Sequence, residues 1–182
     1  KIVIKTNFVT CILSERSVDQ KTYDLGGRRV DYMNTSPQMI LALLRQLVKS
    51  AGVDPRDIAV GDPLALFPNQ YYDPLHREFP AVQYMDLNGG NADHPRAPVK
   101  LSSTPLYWSS RPEEKSQDYV PVHYAEAAYL INLANLKSHT MAGVTLCAKN
   151  HFGSLIRTPP AKGYYDMHAS LAQRDPGYGR YR

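Results

Sequence analysis

The sequence predicts an α/β domain: a mainly parallel sheet flanked by helices in a Rossmann-like three-layer arrangement, carrying long irregular insertions. Three observations lead there. Four short apolar runs recur along the chain: KIVIK at 1–5, DIAVG at 57–61, AVQYMD at 81–86 and AYLINLA at 128–134. A strong helix pattern separates the first two, and strand, helix, strand in that order favours a right-handed crossover within a parallel sheet. The segments IVI, IAV and YLINLA are almost continuously apolar, as strands covered on both faces are.

Each element has local grounds. Ser36 is a good helix N-cap and Pro37 suits the first helical position. Ile40, Leu43, Leu44, Leu47 and Val48 then form one apolar stripe at helical spacing, and Gly52 supplies the stop. Residues 63–80, rich in Pro, Tyr and Asn, and 87–98, LNGGNADHPRAP, read as long irregular connections. Residues 99–109, VKLSSTPLYWS, suit an extended excursion or hairpin arm, with Pro105 marking an edge or bend. The expected organisation is a single domain over 1–182, with an insertion-rich middle at 63–127 and an irregular tail at 156–182. A strand-like opening without Met, and a tail without a closing element, suggest a fragment of a longer protein.

Composition narrows the function classes. The 43% hydrophobic and 21% charged fractions are those of a folded globular protein. No apolar run approaches the ~20 residues of a membrane-spanning helix. These residues do not distinguish the cytoplasm from export. The formal charge of +4 is scattered, with local concentrations only at Arg28-Arg29 and at Arg174, Arg180 and Arg182, so nucleic acid is not an expected partner. The two cysteines, Cys11 and Cys147, form no CxxC; an iron–sulfur cluster needs about four such ligands, so this segment alone supports none. Cys147 falls on an apolar helical stripe, where a buried inert thiol is expected.

Polar groups concentrate at the ends of three of the strand runs. The first gives Lys5-Thr6-Asn7, the second Gly61-Asp62, and the fourth leads to Lys137-Ser138-His139-Thr140. In a parallel sheet these ends share one edge, where ligands of α/β proteins bind. The segment 129–155 reads as a buried strand, a polar loop with Lys137 and His139, then a helix carrying Thr145, Lys149 and Asn150. Such a helix N-terminus favours an anion, and Gly143 would allow close approach of a ligand or backbone. The stripe Val144, Cys147, Ala148, His151, Phe152 and Leu155 would pack that helix on the sheet.

The chemistry expected is therefore an anionic small molecule held by Lys137 and Lys149, with His139 as general acid/base and Asp62 orienting it. Lys5, Asn7, Gly143, Thr145, Lys149 and Asn150 complete the candidate ligand-binding set. Structural readings stand beside these: Lys149 snorkelling along a helix, Asn150 capping a turn toward Gly153, and His151 as a satisfied core histidine. His76, His94, His123 and His168 fall in irregular positions without HExxH, and a metal held by Asp62 with His139 or His76 is the weaker alternative. GxxxxGK[ST], GxGxxG and GxSxG are absent. Tyr71-Tyr72 and Tyr164-Tyr165 are expected in packed loops or an interface.

The phrases VIKTNFV, SPQMILALLRQLV, DIAVGDP and LINLANLKSHTMAGVTLCAKNHFGS resemble the domain of unknown function 362 family over residues 1–155. The most specific part is K-x-H-x(3)-G-x-T-x(3)-K-N. The resemblance implies that Lys5, Asn7, Asp62, Lys137, His139, Gly143, Thr145, Lys149 and Asn150 are motif positions. It also implies a link to iron–sulfur redox systems, since many relatives carry ferredoxin-like cysteine clusters that this chain lacks. Members usually continue beyond the point where this chain ends, and IKTN departs from the family's IKPN at Thr6. Alternatives to an anion-acting protein are a non-catalytic binding or assembly component, docking another polypeptide or a missing carboxyl-terminal half, and an accessory to a redox system.

Overall fold

All four apolar runs form strands of one sheet. The computed structural model describes residues 1–11, 17–26, 33–107, 117–139 and 143–157. Arg28, Arg29, Thr140, Tyr164, Tyr165, His168, Arg174, Arg180, Arg182 and the tail beyond residue 157 lie outside the described residues. The elements, in order, are β1 (Ile2–Lys5), α1 (Pro37–Arg45), β2 (Ile58–Gly61), α2 (Asn69–Glu78), β3 (Gln83–Asp86) and β4 (Ala97–Pro98). There follow β5 (Leu101–Tyr107), β6 (Gln117–Pro121), α3 (Val122–Ala125), β7 (Tyr129–Asn132), β8 (Lys137–His139), β9 (Gly143–Thr145), α4 (Cys147–Phe152) and β10 (Ile156–Arg157).

Five strands pair in the order β4-β3-β2-β1-β7, and every pairing is parallel. Lys5 at the end of β1 stands in register with Gly61 on one side and Asn132 on the other. The chain winds outward from β1 to β4, then returns to place β7 on the opposite side of β1. Strand order therefore reverses between β1 and β7. The crevice beyond their carboxyl ends is a topological switch point, the usual ligand position in such folds.

Alternation along the strands divides the core. Ile4, Ile58, Val60 and Tyr84 share one cluster with Ile40 and Leu44 of α1 and Tyr71 and Leu75 of α2. Val3, Ala59 and Met85 form a second cluster, with Val99, Tyr124 and Ala127 against it. Each fully buried Leu or Ile contributes roughly 1.5–3 kcal/mol. Ser36 caps α1 by accepting a hydrogen bond from the Met39 amide at 3.2 Å, with Pro37 in the first turn. The helix continues as a wider turn over Gln46–Ser50 and stops before Gly52.

Two connections expected to be irregular are more ordered than that. Residues 63–80 contain α2, because Tyr71, Leu75 and Phe79 recur at helical spacing and bury one stripe. Pro74 sits inside this helix on its exposed side, as does Gln70, whose carbonyl loses its usual amide partner where water is available. The 87–98 loop is organised by Asp86, which is fully buried. Its Oδ1 accepts from the amides of Asn88, Gly89 and Gly90 at 2.8, 2.9 and 3.1 Å. Its Oδ2 accepts from the Phe67 amide at 2.6 Å, and the Tyr23 hydroxyl lies against both oxygens. The Arg96 guanidinium lies 3.3 Å from the Tyr72 ring centroid, and Tyr71 is in the core, so Tyr71-Tyr72 are packing residues. Within the 99–109 excursion, residues 101–107 form β5, which pairs antiparallel with β6 with a register shift between Leu101 and Pro105.

Candidate functional site

β1 ends in Lys5, a lysine only 1% exposed. A buried ammonium needs every donor engaged, and this one achieves that. Nζ donates to the Thr6 carbonyl at 2.5 Å, to Asp62 Oδ2 at 2.9 Å and to Asn150 Oδ1 at 3.0 Å. Asp62 follows β2 and is held from two further directions: Oδ2 accepts from the Phe8 amide at 3.1 Å, and Oδ1 from the Leu64 amide at 3.2 Å. Gly61 makes this placement possible, since a Cβ there would stand 2.5 Å from the Met85 carbonyl oxygen.

Asn150 joins the sheet edge to the later elements. Its Oδ1 accepts from Lys5 and from Asn7 Nδ2 (2.9 Å), and its Nδ2 donates to Asn132 Oδ1 at 2.7 Å. Asn132, at the end of β7, donates in turn to the Cys147 carbonyl at 2.7 Å. Lys137 Nζ donates to Asn7 Oδ1 at 2.6 Å and to the Met33 carbonyl at 2.7 Å. Asp62, Lys5, Asn150, Asn7 and Lys137 are thus one continuous hydrogen-bonded chain.

A cleft of about 280 Å³ opens beside this network. It is lined by seven of the nine expected residues: Lys5, Asn7, Asp62, His139, Thr145, Lys149 and Asn150. Lys137 sits behind Asn7. Gly143 is absent from the lining; it has a φ of +72°, which favours glycine, and a Cβ there would meet no described atom within 4 Å.

Two other expectations are corrected. Lys137 and His139 lie on β8 and Thr145 on β9, which form an antiparallel pair instead of a loop and a helix start. Thr145 Oγ1 donates to the Asn135 carbonyl at 3.1 Å and reaches the Lys137 carbonyl at 3.4 Å, tying the pair together. The helix α4 spans six residues, and its latter part, Lys149, Asn150 and Phe152 with Gly153, faces the cleft. Lysine side chains, Lys5 from β1 and Lys149 from α4, reach the cleft, and the N-terminus of α4 does not. The expected apolar stripe is also turned outward: Val144 is 49% exposed, and Cys147 and His151 are exposed too. Asn150 takes the inward position because Lys5 and Asn7 need its amide.

Lys5 and Lys149 line the cleft with the Asp62 carboxylate, and Lys137, behind Asn7, stands within their electrostatic field. Lys137 feels it. Burial pushes its ammonium down to about 8; the Asp62 carboxylate opposes this, and Lys149 and Lys5 add to it. On the sheet's other face, burial first and Asp62 second push the Tyr124 phenol well up, so it stays neutral.

Asn132, the Met33 carbonyl and the amides of Phe8 and Leu64 were not anticipated. Of these only Asn132 had a sequence signal, as the lone amide within the apolar run YLINLA. Among the described residues, no group of three or more His, Cys, Asp or Glu side chains gathers as a metal site. No described helix is long and apolar enough to cross a membrane.

No curated protein and no solved structure matches the chain. A family model matches residues 22–175, which takes in the LKSHTMAGVTLCAKN string and leaves VIKTNFV just ahead of it. With most of its length matched, the chain belongs to the family described as Domain of unknown function (DUF362).

Proposed function

We propose that this chain binds a small phosphate- or carboxylate-bearing molecule in the cleft at the β1/β7 switch point. The observation that carries the reading is the cationic lining of the cleft, where Lys5 and Lys149 gather beside His139, Asn7 and Asn150, with Lys137 behind Asn7. An anion entering that field gains Coulomb energy in a partly desolvated setting, where charge is screened less than at the surface. In this reading the residues divide their work. Lys5, Asn7 and Asn150, already engaged with one another, hold the shape of the cleft floor, and Asp62 neutralises Lys5. Lys149 meets the anion from the wall, while Lys137 adds its charge through the Asn7 amide. His139 lines the cleft and can give or take a proton from the bound molecule, which would make the protein an enzyme.

Calorimetric titration with inorganic phosphate tests the binding step. Saturable binding that weakens at least tenfold in Lys149→Met and in Lys137→Met, with unchanged circular dichroism, is expected. Equal affinity in both variants would refute it.

A second reading, a non-catalytic assembly component, draws on one observation. Tyr129 and Leu130 point to opposite faces of the edge strand β7 and are 69% and 40% exposed, so both faces are thinly covered among the described residues. Sedimentation as a monomer at every concentration, without a second polypeptide, would remove its support.

A further inference from the structure

We infer that the Asn7 side-chain amide is the specificity donor of the cleft: it meets the ligand with an N–H group and so selects an oxyanion that offers bare acceptor oxygens. This rests on the anion-binding reading and deepens it, naming the atom that recognises the ligand and the residues that aim it. A carboxamide has two ends of nearly equal shape and opposite character, and its carbonyl end repels an oxyanion. The end turned to the cleft therefore decides what binds.

Asn7, Asn150 and Asn132 form a chain of carboxamides that runs one way. Lys137 Nζ donates to Asn7 Oδ1 at 2.6 Å, and Asn7 Nδ2 donates to Asn150 Oδ1 at 2.9 Å. Asn150 Nδ2 donates to Asn132 Oδ1 at 2.7 Å, and Asn132 Nδ2 to the Cys147 carbonyl at 2.7 Å. An ammonium can only donate and a backbone carbonyl can only accept. Both ends therefore impose the same direction, and turning over any one amide sets donor against donor. Lys5 locks the middle, since its ammonium donates to Asn150 Oδ1 at 3.0 Å. Bonds aligned in series polarise and strengthen one another.

The direction of the chain has a consequence at the cleft. Asn7 and Asn150 line it, whereas Lys137 lies behind Asn7. The Asn7 carbonyl oxygen is thus drawn back toward Lys137, and its nitrogen sits on the side of Asn150 and the cleft. That nitrogen carries two hydrogens. One is engaged by Asn150, and the other meets no described acceptor. Asn150 has no such hydrogen to offer, because its own second one reaches toward the Lys5 carbonyl at 3.5 Å. The Asn7 backbone is fixed as well: its amide donates to Thr35 Oγ1 at 2.8 Å, and its carbonyl accepts from the Thr35 amide at 2.9 Å. The donor is in place before a ligand arrives, so little ordering cost falls on binding. Asn132 is outside the cleft lining; it is a positioning residue that aims Asn7 through Asn150.

The test is nuclear magnetic resonance of the full chain, with its asparagine side-chain amides isotopically labelled, while inorganic phosphate is titrated in. The two Nδ2 hydrogens of Asn7 give separate signals. Phosphate is expected to move downfield the one not bonded to Asn150 and to leave the other in place. If both move alike, or neither moves, at phosphate levels that calorimetry shows to saturate, the inference is overturned while the anion site stands. Absence of saturable phosphate binding by calorimetry removes the anion site itself, and this inference with it. Asn132→Leu cuts the chain beyond Asn150. Phosphate affinity should then fall about fivefold, the worth of one neutral hydrogen bond, and the phosphate-induced shift of the Asn7 hydrogen should shrink. A merely structural role for Asn132 would lower the unfolding midpoint and leave that shift as it was, which overturns the positioning role. Asn132→Ser carries the same test if Asn132→Leu does not fold.

Discussion

Replacing Lys5 with Met is the sharpest perturbation of the network, because it removes a buried charge without removing its shape. Lys5 is 1% exposed, and its ammonium serves three acceptors, of which Asp62 is charged and 7% exposed. Breaking a buried ion pair by deleting one partner costs about 3–5 kcal/mol, mostly from the stranded charge. Asp62 keeps the amides of Phe8 and Leu64, so the expected loss lies near the lower end, about 3 kcal/mol. Urea unfolding, with the denaturant slope checked for constancy, measures it. Adding Asp62→Asn should recover part of the loss, since both charges are then gone. A loss below about 1 kcal/mol, or a double variant that is less stable by the simple sum, would refute the claim that Lys5 and Asp62 are one unit.

Three further outcomes follow from single groups. The Lys137 ammonium is held down to about 8, chiefly by burial, against 10.5 for the exposed group, so between those values the unfolded chain binds the extra proton. Stability of the ligand-free protein should therefore rise with pH across that window, while phosphate affinity falls; Lys137→Met should flatten both trends in paired urea and calorimetric series. The Thr6 hydroxyl is buried and has no hydrogen-bond partner among the described residues, so Thr6→Val should stabilise the protein by about 1 kcal/mol in the same denaturation assay. Cys147 is exposed and Cys11 buried, so a maleimide should label the native protein once, at Cys147, and a second time only after denaturation.

The parallel sheet was legible because its strands and α1 announce themselves by local rules. IVI and IAV are apolar on both faces, and Ser36-Pro37 begins a stripe that Ile40 and Leu44 bury. The meeting of Lys5 and Asp62 was legible for the same reason, since the parallel strands β1 and β2 bring their carboxyl ends together. What failed was local conformation where tertiary contacts decide. Pro74 and the polar composition hid α2, although Tyr71, Leu75 and Phe79 carried its spacing. Around 137–152, helical periodicity pointed Cys147 and His151 inward. The demand of a buried ammonium for an amide acceptor turned Asn150 inward instead. No window of sequence contains that demand, because Lys5 lies 145 positions away. The sequence chemistry of Asp86 was likewise invisible, as its partners come from the backbone of its own loop and from Phe67 and Tyr23.

Diffraction from crystals soaked in selenate tests the central claim most directly, since selenium scatters anomalously and selenate carries two negative charges. The account predicts an anomalous peak in the cleft beyond the ends of β1 and β7, with selenate oxygens within about 2.7–3.2 Å of Lys149 Nζ or the His139 ring. Selenate at exposed lysines such as Lys21 and Lys49, with the cleft filled only by water, would contradict it.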